Sequence, residues 1–273
     1  VYVAGIQIVG PLGDDSKPES HRRIVPIDPE PGKEAATARK DLAAFASKAW
    51  RRPATADEVD RLMKVYEFGA KPTKSFEAGM RLAVQAVLVS PHFLFRIETE
   101  AGGKSRALGP YELASRMSYF VWASTPDARL LALAKSGEIV KPAVQEAEVA
   151  RMLKDPRAKA LADNFAMQWL QLRKLQTFAP DPDQFPTWNE GLRKSMLGET
   201  LAFFGDVVRN DRPVTTFLDG KFTYVDKNLA TLYGIPGDFG SELRKVQLPA
   251  DGPRAGLLTQ GAVLTVTSNP TRM

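Results

Sequence analysis

Apolar positions along this chain recur at two different spacings. Val1 to Val9 (VYVAGIQIV) alternates and is rich in β-branched residues, which predicts a strand. No partner strand follows nearby, and a lone strand is unstable, so the reading is the tail of an upstream β domain. Gly10 to Gly32 is rich in Pro, Gly, Asp and Ser and reads as an extended connection. From Lys33 the apolar residues recur every three or four positions, the period of a helix with one buried face. That period predicts helices over Lys33 to Arg51, Asp57 to Phe68, Phe76 to Val89, Pro110 to Trp122, Pro126 to Gly137, Pro142 to Leu153, Arg157 to Leu175 and Thr187 to Arg209. Phe76 to Val89 is apolar on most faces and is expected to be a central buried helix.

Punctuation supports these limits. Thr55 and Glu58 have the spacing of a capping box, in which each side chain binds the other residue's backbone amide. Pro110 and Pro142 suit a first helical turn, where the missing N–H costs nothing. Near the end, Gly220 to Val225 and Leu243 to Leu248 read as short strands, and Asp226 to Tyr233 as a short helix closed by Gly234. Gly256 to Val266 fits either a helix or a buried strand, and a helix is the expectation. The fold class is therefore mainly α, a multi-helix orthogonal bundle with one N-terminal strand and a few short strands near the C-terminus. Expected boundaries are 1–32 for the upstream tail and linker, 33–105 for an N-terminal helical subdomain, 106–250 for the main helical domain, and 251–273 for the start of a following module.

Composition narrows the chemistry. With 273 residues and 44% hydrophobic content, the chain can build a real core. A net charge of +5 is spread among 32 acidic residues rather than gathered in runs, which argues against nucleic acid as a partner. There is no cysteine, so disulfides, thiolate nucleophiles and CxxCH haem attachment are excluded within this segment. No apolar run reaches the roughly 18 residues of a membrane-spanning helix. Phosphate-binding glycine loops, HExxH and the GxSxG elbow are likewise missing.

Candidate functional residues follow from position. His92, one of two histidines, ends the apolar helix in SPHFLFR. It reads either as an imidazole facing a neighbouring module or as a cap on the last carbonyls of that helix. In the helix Thr187 to Arg209, Glu199 and Asp206 lie seven apart on one edge of the apolar face. A desolvated carboxylate there suits acid–base work, whereas a cation from a neighbouring helix makes it structural. Arg116 and Arg173 are the available cations, and the expected outcome is an arginine partner that lowers the pKa of Glu199. Tyr119, Phe120, Trp122, Phe165, Trp169, Phe185 and Trp188 form an aromatic set. Trp188 is the one expected to be exposed, and with Arg116 and Arg173 it makes up the candidate binding residues.

Several longer segments occur in order: KAWRRPATADEVDRLMKVYE, LAVQAVLVSPHFLFRIE, YELASRMSYFVWASTPDARLLALAKSGE, FAMQWLQLRKL and GLLTQGAVLTVTSNPTR. Together they resemble the planctomycete domains of unknown function that accompany c-type cytochrome modules, over a stretch from about Ala36 to the end. The resemblance implies an exported protein in the periplasm or otherwise outside the cytoplasm, of which this chain is an internal fragment. It also implies c-type haem in flanking modules and none in this segment. Partners would be the flanking domains of the same polypeptide and an extracellular polysaccharide or electron-transfer partner. Two roles stay open. One is a helical scaffold and interface that shapes the substrate groove of an oxidoreductase acting on extracellular polymer. The other is a protein- or glycan-interaction module with no chemistry of its own.

Overall fold

The computed structural model describes residues 17–26, 28–98 and 106–268. The expected strand Val1 to Val9 lies outside them. Helices dominate the described residues, and the one sheet found there has two strands, so the fold is mainly α. The chain divides into two compact units between Glu112 and Leu113.

The first unit begins with a short helical turn, α1 (Glu19–Arg22), and is built on α2 (Glu34–Ala49), α3 (Ala56–Thr73) and α4 (Phe76–Val89), followed by the single turn α5 (Pro91–Leu94). Thr55 caps α3 as the sequence predicts. Its hydroxyl accepts from the Glu58 amide, and Glu58 accepts from the Thr55 amide. The α3 helix and α4 pack tightly because Gly79 carries no side chain. A Cβ there would come within 2.6 Å of the Tyr66 ring. Only one face of α4 is buried, through Phe76, Gly79, Met80, Ala83 and Val87. Leu88 and Val89 are exposed, so the expectation of a helix buried on most faces is corrected.

In the second unit come most of α6 (Pro110–Trp122), then α7 (Ala128–Ser136), α8 (Pro142–Leu153), and the short pieces α9 (Lys159–Leu161) and α10 (Met167–Trp169). The predicted single helix Arg157 to Leu175 is in fact broken. Residues Ala162–Ala166 form a π-helical turn, and 3₁₀ turns stand at Pro156–Ala158 and Leu172–Gln176. A π turn inserts one extra residue, which leaves the apolar spacing close to helical while shifting the face that follows. The long α11 (Glu190–Arg209) is capped by Asn189, whose side chain accepts from the Leu192 amide. After it come α12 (Thr216–Asp219), β1 (Phe222–Val225), α13 (Lys227–Tyr233), β2 (Arg244–Gln247) and α14 (Gly261–Thr267). The strands β1 and β2 pair antiparallel, Phe222 opposite Gln247 and Val225 opposite Arg244.

This order places α11 at the centre of the unit. Leu192 and Met196 pack with Val225, Leu229, Ala262 and Val263, while Phe203 stacks on Phe222 with centroids 4.7 Å apart. The loop before α14 is held down at Gly256, whose amide donates to the Gly220 carbonyl. Its φ is +55°, and a Cβ there would lie 2.4 Å from the Phe217 carbonyl oxygen.

Candidate functional site

Glu199 and Asp206 both face inward from α11, and their surroundings differ. Glu199 is 1% exposed. Thr223 Oγ1 on β1 donates to its Oε1 at 2.5 Å, and Tyr233 OH on α13 donates to its Oε2 at 2.6 Å. The same phenol oxygen accepts from the Gly261 amide at 2.7 Å, so one carboxyl ties α11 to β1, α13 and, through Tyr233, the start of α14. Burial pushes the Glu199 carboxyl up to about 7, against the opposing pull of Thr223, Tyr233, the charge of Arg254 and the Gly261 amide. The expected arginine ion pair and lowered pKa are therefore overturned, because the groups that reach the carboxyl are hydroxyls. Hydroxyls stabilise the ionised form less than a cation does. The Tyr233 phenol is pushed far above its ordinary range, first by burial and then by Glu199.

Asp206 is buried too, yet meets cations. Lys245 Nζ lies 2.6 Å from Oδ2 and Arg212 Nε 3.1 Å from the same oxygen, while the Asn210 amide donates to Oδ1. Burial is the largest single influence and pushes the carboxyl upward, but Lys245 and Arg212 together outweigh it and hold Asp206 below its ordinary range. Lys245 also stands 4.0 Å over the Phe222 ring. Asp206 thus has cation partners, and they come from β2 and the loop after α11 rather than from Arg116 or Arg173. Arg116 and Arg173 pair with neither carboxylate, and both are exposed.

His92 does not cap α4. It sits at the second position of α5, its amide donating to the Ser90 side chain, and its ring packs at a tilt 5.4 Å from Trp50. Its Nε2 is 3.5 Å from Glu58 Oε1. Glu58 is held at about 2, first by a two-pronged bond from Arg52 and then by the Thr55 amide. The carbonyls around α5 are taken instead by Arg51, which donates to those of His92, Phe93 and Phe95. His92 lies in the first unit, while Glu199 and Asp206 lie in the second.

The aromatic set divides as well. Trp122 is buried, its Nε1 donating to the Met152 carbonyl and its face covered by Arg157 at 3.6 Å. Trp188, expected to be exposed, is half-buried with its ring edge-on to Phe178. The exposed rings are Phe120, Phe165, Trp169 and Phe185.

Trp188 nonetheless stands in a groove of about 620 Å³ in the second unit. Phe178 and Phe185 line it beside Trp188, and across the sequence it is completed by Met196, Tyr233 and Arg254. The volume lies within the range of sites that hold small ligands. Arg254 stacks on the Tyr233 ring at 3.8 Å, with Nη1 donating to the Thr259 carbonyl at 2.8 Å. Tyr233 therefore has two environments, a ring at the groove and a hydroxyl bonded to buried Glu199. Sequence reasoning missed Tyr233, Arg254 and Thr223. The signal it could have used is the aromatic density of Phe178 to Trp188, which survives an otherwise Pro- and Asp-rich loop.

Among the described residues no group of three His, Asp or Glu side chains could hold a metal ion, and no helix is long and apolar enough to cross a membrane. No curated protein and no solved structure matches the chain. Two family models do. Residues 37–98 match PSD5, a protein of unknown function (DUF1595), and residues 108–235 match PSD4, a protein of unknown function (DUF1592). The first match takes in α3 to α5 and most of α2, and the second runs from α6 through Glu199 to Tyr233. This chain accordingly carries a stretch similar to PSD5 followed by one similar to PSD4, two domains of unknown function.

Proposed function

We propose that this chain is the helical scaffold of an exported, cytochrome-associated protein, and that its groove holds a carbohydrate ring of an extracellular polymer. The observation that carries this reading is the groove wall of Trp188, Phe178, Phe185 and Tyr233 with a single arginine among them. Flat aromatic faces accept the apolar faces of sugar rings, and a few polar groups fix their orientation. The buried acids favour holding over reacting. Neither Glu199 nor Asp206 lines the groove, and both oxygens of each are bonded within the protein. Chemistry on the bound polymer then belongs to the haem-bearing modules that the family resemblance implies.

Titration calorimetry with neutral and acidic oligosaccharides tests this. Saturable binding is expected, weakened at least about tenfold by Trp188→Ala, which removes one stacking wall. The melting temperature of that variant reports whether the fold survives. Failure of every oligosaccharide to bind the intact protein would overturn the reading.

A further inference from the structure

We propose that the groove selects sugars bearing a carboxylate, and that Arg254 is the residue that reads it. This rests on the carbohydrate reading above and adds the substrate class. Arg254 and Asp181 are the two charged side chains lining the groove. Asp181 is occupied by its own loop, one oxygen accepting from the Asp183 amide at 2.9 Å and the other from Gln184 Nε2 at 3.3 Å. Arg254 is differently placed. It pairs with no carboxylate among the described residues, and its hydrogen bond within the protein is the one from Nη1 to the Thr259 carbonyl.

The guanidinium is also held in one orientation. Its central carbon lies 3.8 Å over the Tyr233 ring, and one corner is held by the Thr259 carbonyl. A stacked guanidinium keeps its in-plane N–H groups available, and that planar fork matches the two oxygens of a carboxylate. Gly256, two residues on, fixes the backbone that delivers it. A ring seated against Trp188 with an acidic substituent toward Arg254 would use both features of the groove at once.

Buried Glu199 sharpens the argument. It sits behind Tyr233, and its charge opposes that of Arg254 through space. Arg254 and Tyr233 are the charged and titratable groups that act on it, while β1 and α14 contribute Thr223 and the Gly261 amide, which do not titrate. Because burial holds this carboxyl above its ordinary range, its negative charge offsets less of the field that Arg254 presents to a ligand.

The experiment compares trimers of galacturonate and of galactose by titration calorimetry on the whole chain at low salt. The acidic trimer is expected to bind about tenfold or more tightly than the neutral one. Arg254→Gln should remove that difference, and Arg254→Lys should retain part of it. Glu199→Gln should strengthen acidic binding and leave neutral binding alone, a response that a merely structural Arg254 would not give. Equal binding of the two trimers would overturn this inference and leave the carbohydrate reading standing. A sulfated galactose trimer that outcompetes the uronate would overturn the carboxylate assignment. Binding of neither trimer would overturn this inference, and the carbohydrate reading falls with it when every other oligosaccharide also fails to bind.

Discussion

Two positions on the inward face of α11 bury the same functional group and treat it in opposite ways. Glu199, toward the middle, meets two hydroxyls and is pushed up to about 7; Asp206, one turn from the end, meets Lys245 and Arg212 and is held low. Burial raises both. The sign of the outcome is decided by whether a cation arrives, and the cations here come from β2 and the loop after α11. Depth alone therefore does not mark a carboxylate as functional.

Stability should respond accordingly, and the largest effect expected is at Glu199. At pH 5, where it is neutral in the fold, Glu199→Ala leaves a cavity and takes a bonding partner from both Thr223 and Tyr233. A loss of about 4 kcal/mol is expected in urea unfolding. A smaller loss, within the range of an ordinary surface substitution, would mean that the hydroxyls find other partners.

The next effect is in the pH dependence. The pKa of Glu199 is raised in the fold, so the unfolded chain ionises first as pH rises. Its contribution is fully present below about 4.5 and is lost progressively up to about 7, a swing of up to about 3 kcal/mol. Glu199→Gln cannot ionise, so its stability should gain on that of the native chain across this window. Parallel curves for the two proteins from pH 4.5 to 7 would remove the contrast between the two carboxylates.

At the other end the sign reverses. The pKa of Asp206 is lowered, so its contribution is present above its ordinary value near 3.8 and is lost as pH falls through the depressed folded value. Both cations are about a third exposed, which limits the interaction. Asp206→Asn should cost about 1–2 kcal/mol at pH 7 and converge on the native chain in acid. The smallest effect belongs to Lys245→Met, which leaves Arg212 in place and should cost less than about 1 kcal/mol, easing as salt rises.

Much of the fold was legible because its signals are local. The Thr55–Glu58 box, Pro110, Pro142, Asp226 and Gly234 each set a helix end through bonds or torsions within a few residues. The inward position of Glu199 was legible from periodicity for the same reason. Its partners were not, since Thr223 and Tyr233 lie 24 and 34 residues away and reach it only through the packing of β1 and α13 against α11. An arginine partner was a fair expectation from composition, and tertiary packing supplied hydroxyls. The groove was missed on similar grounds, because its walls join the loop of Phe178 to Trp188 and Arg254 to residues of α11, α13 and α14 that are distant in sequence. Arg157 to Leu175 misled in a different way, its π turn keeping a nearly helical rhythm across a broken axis.

Gly256 has a consequence for how this protein can vary. Any side chain there would collide with the carbonyls of Phe217 and Leu218, which are backbone atoms and cannot swing aside. Its left-handed torsion adds strain for every other residue. Neighbouring loop positions such as Asp251 and Leu258 are exposed and can drift through many residue types without penalty. A library saturating this loop would therefore return variety on either side of a single fixed column. New ligand preferences would have to be reached by exchanging Arg254 or the aromatic walls, over a backbone path that stays as it is.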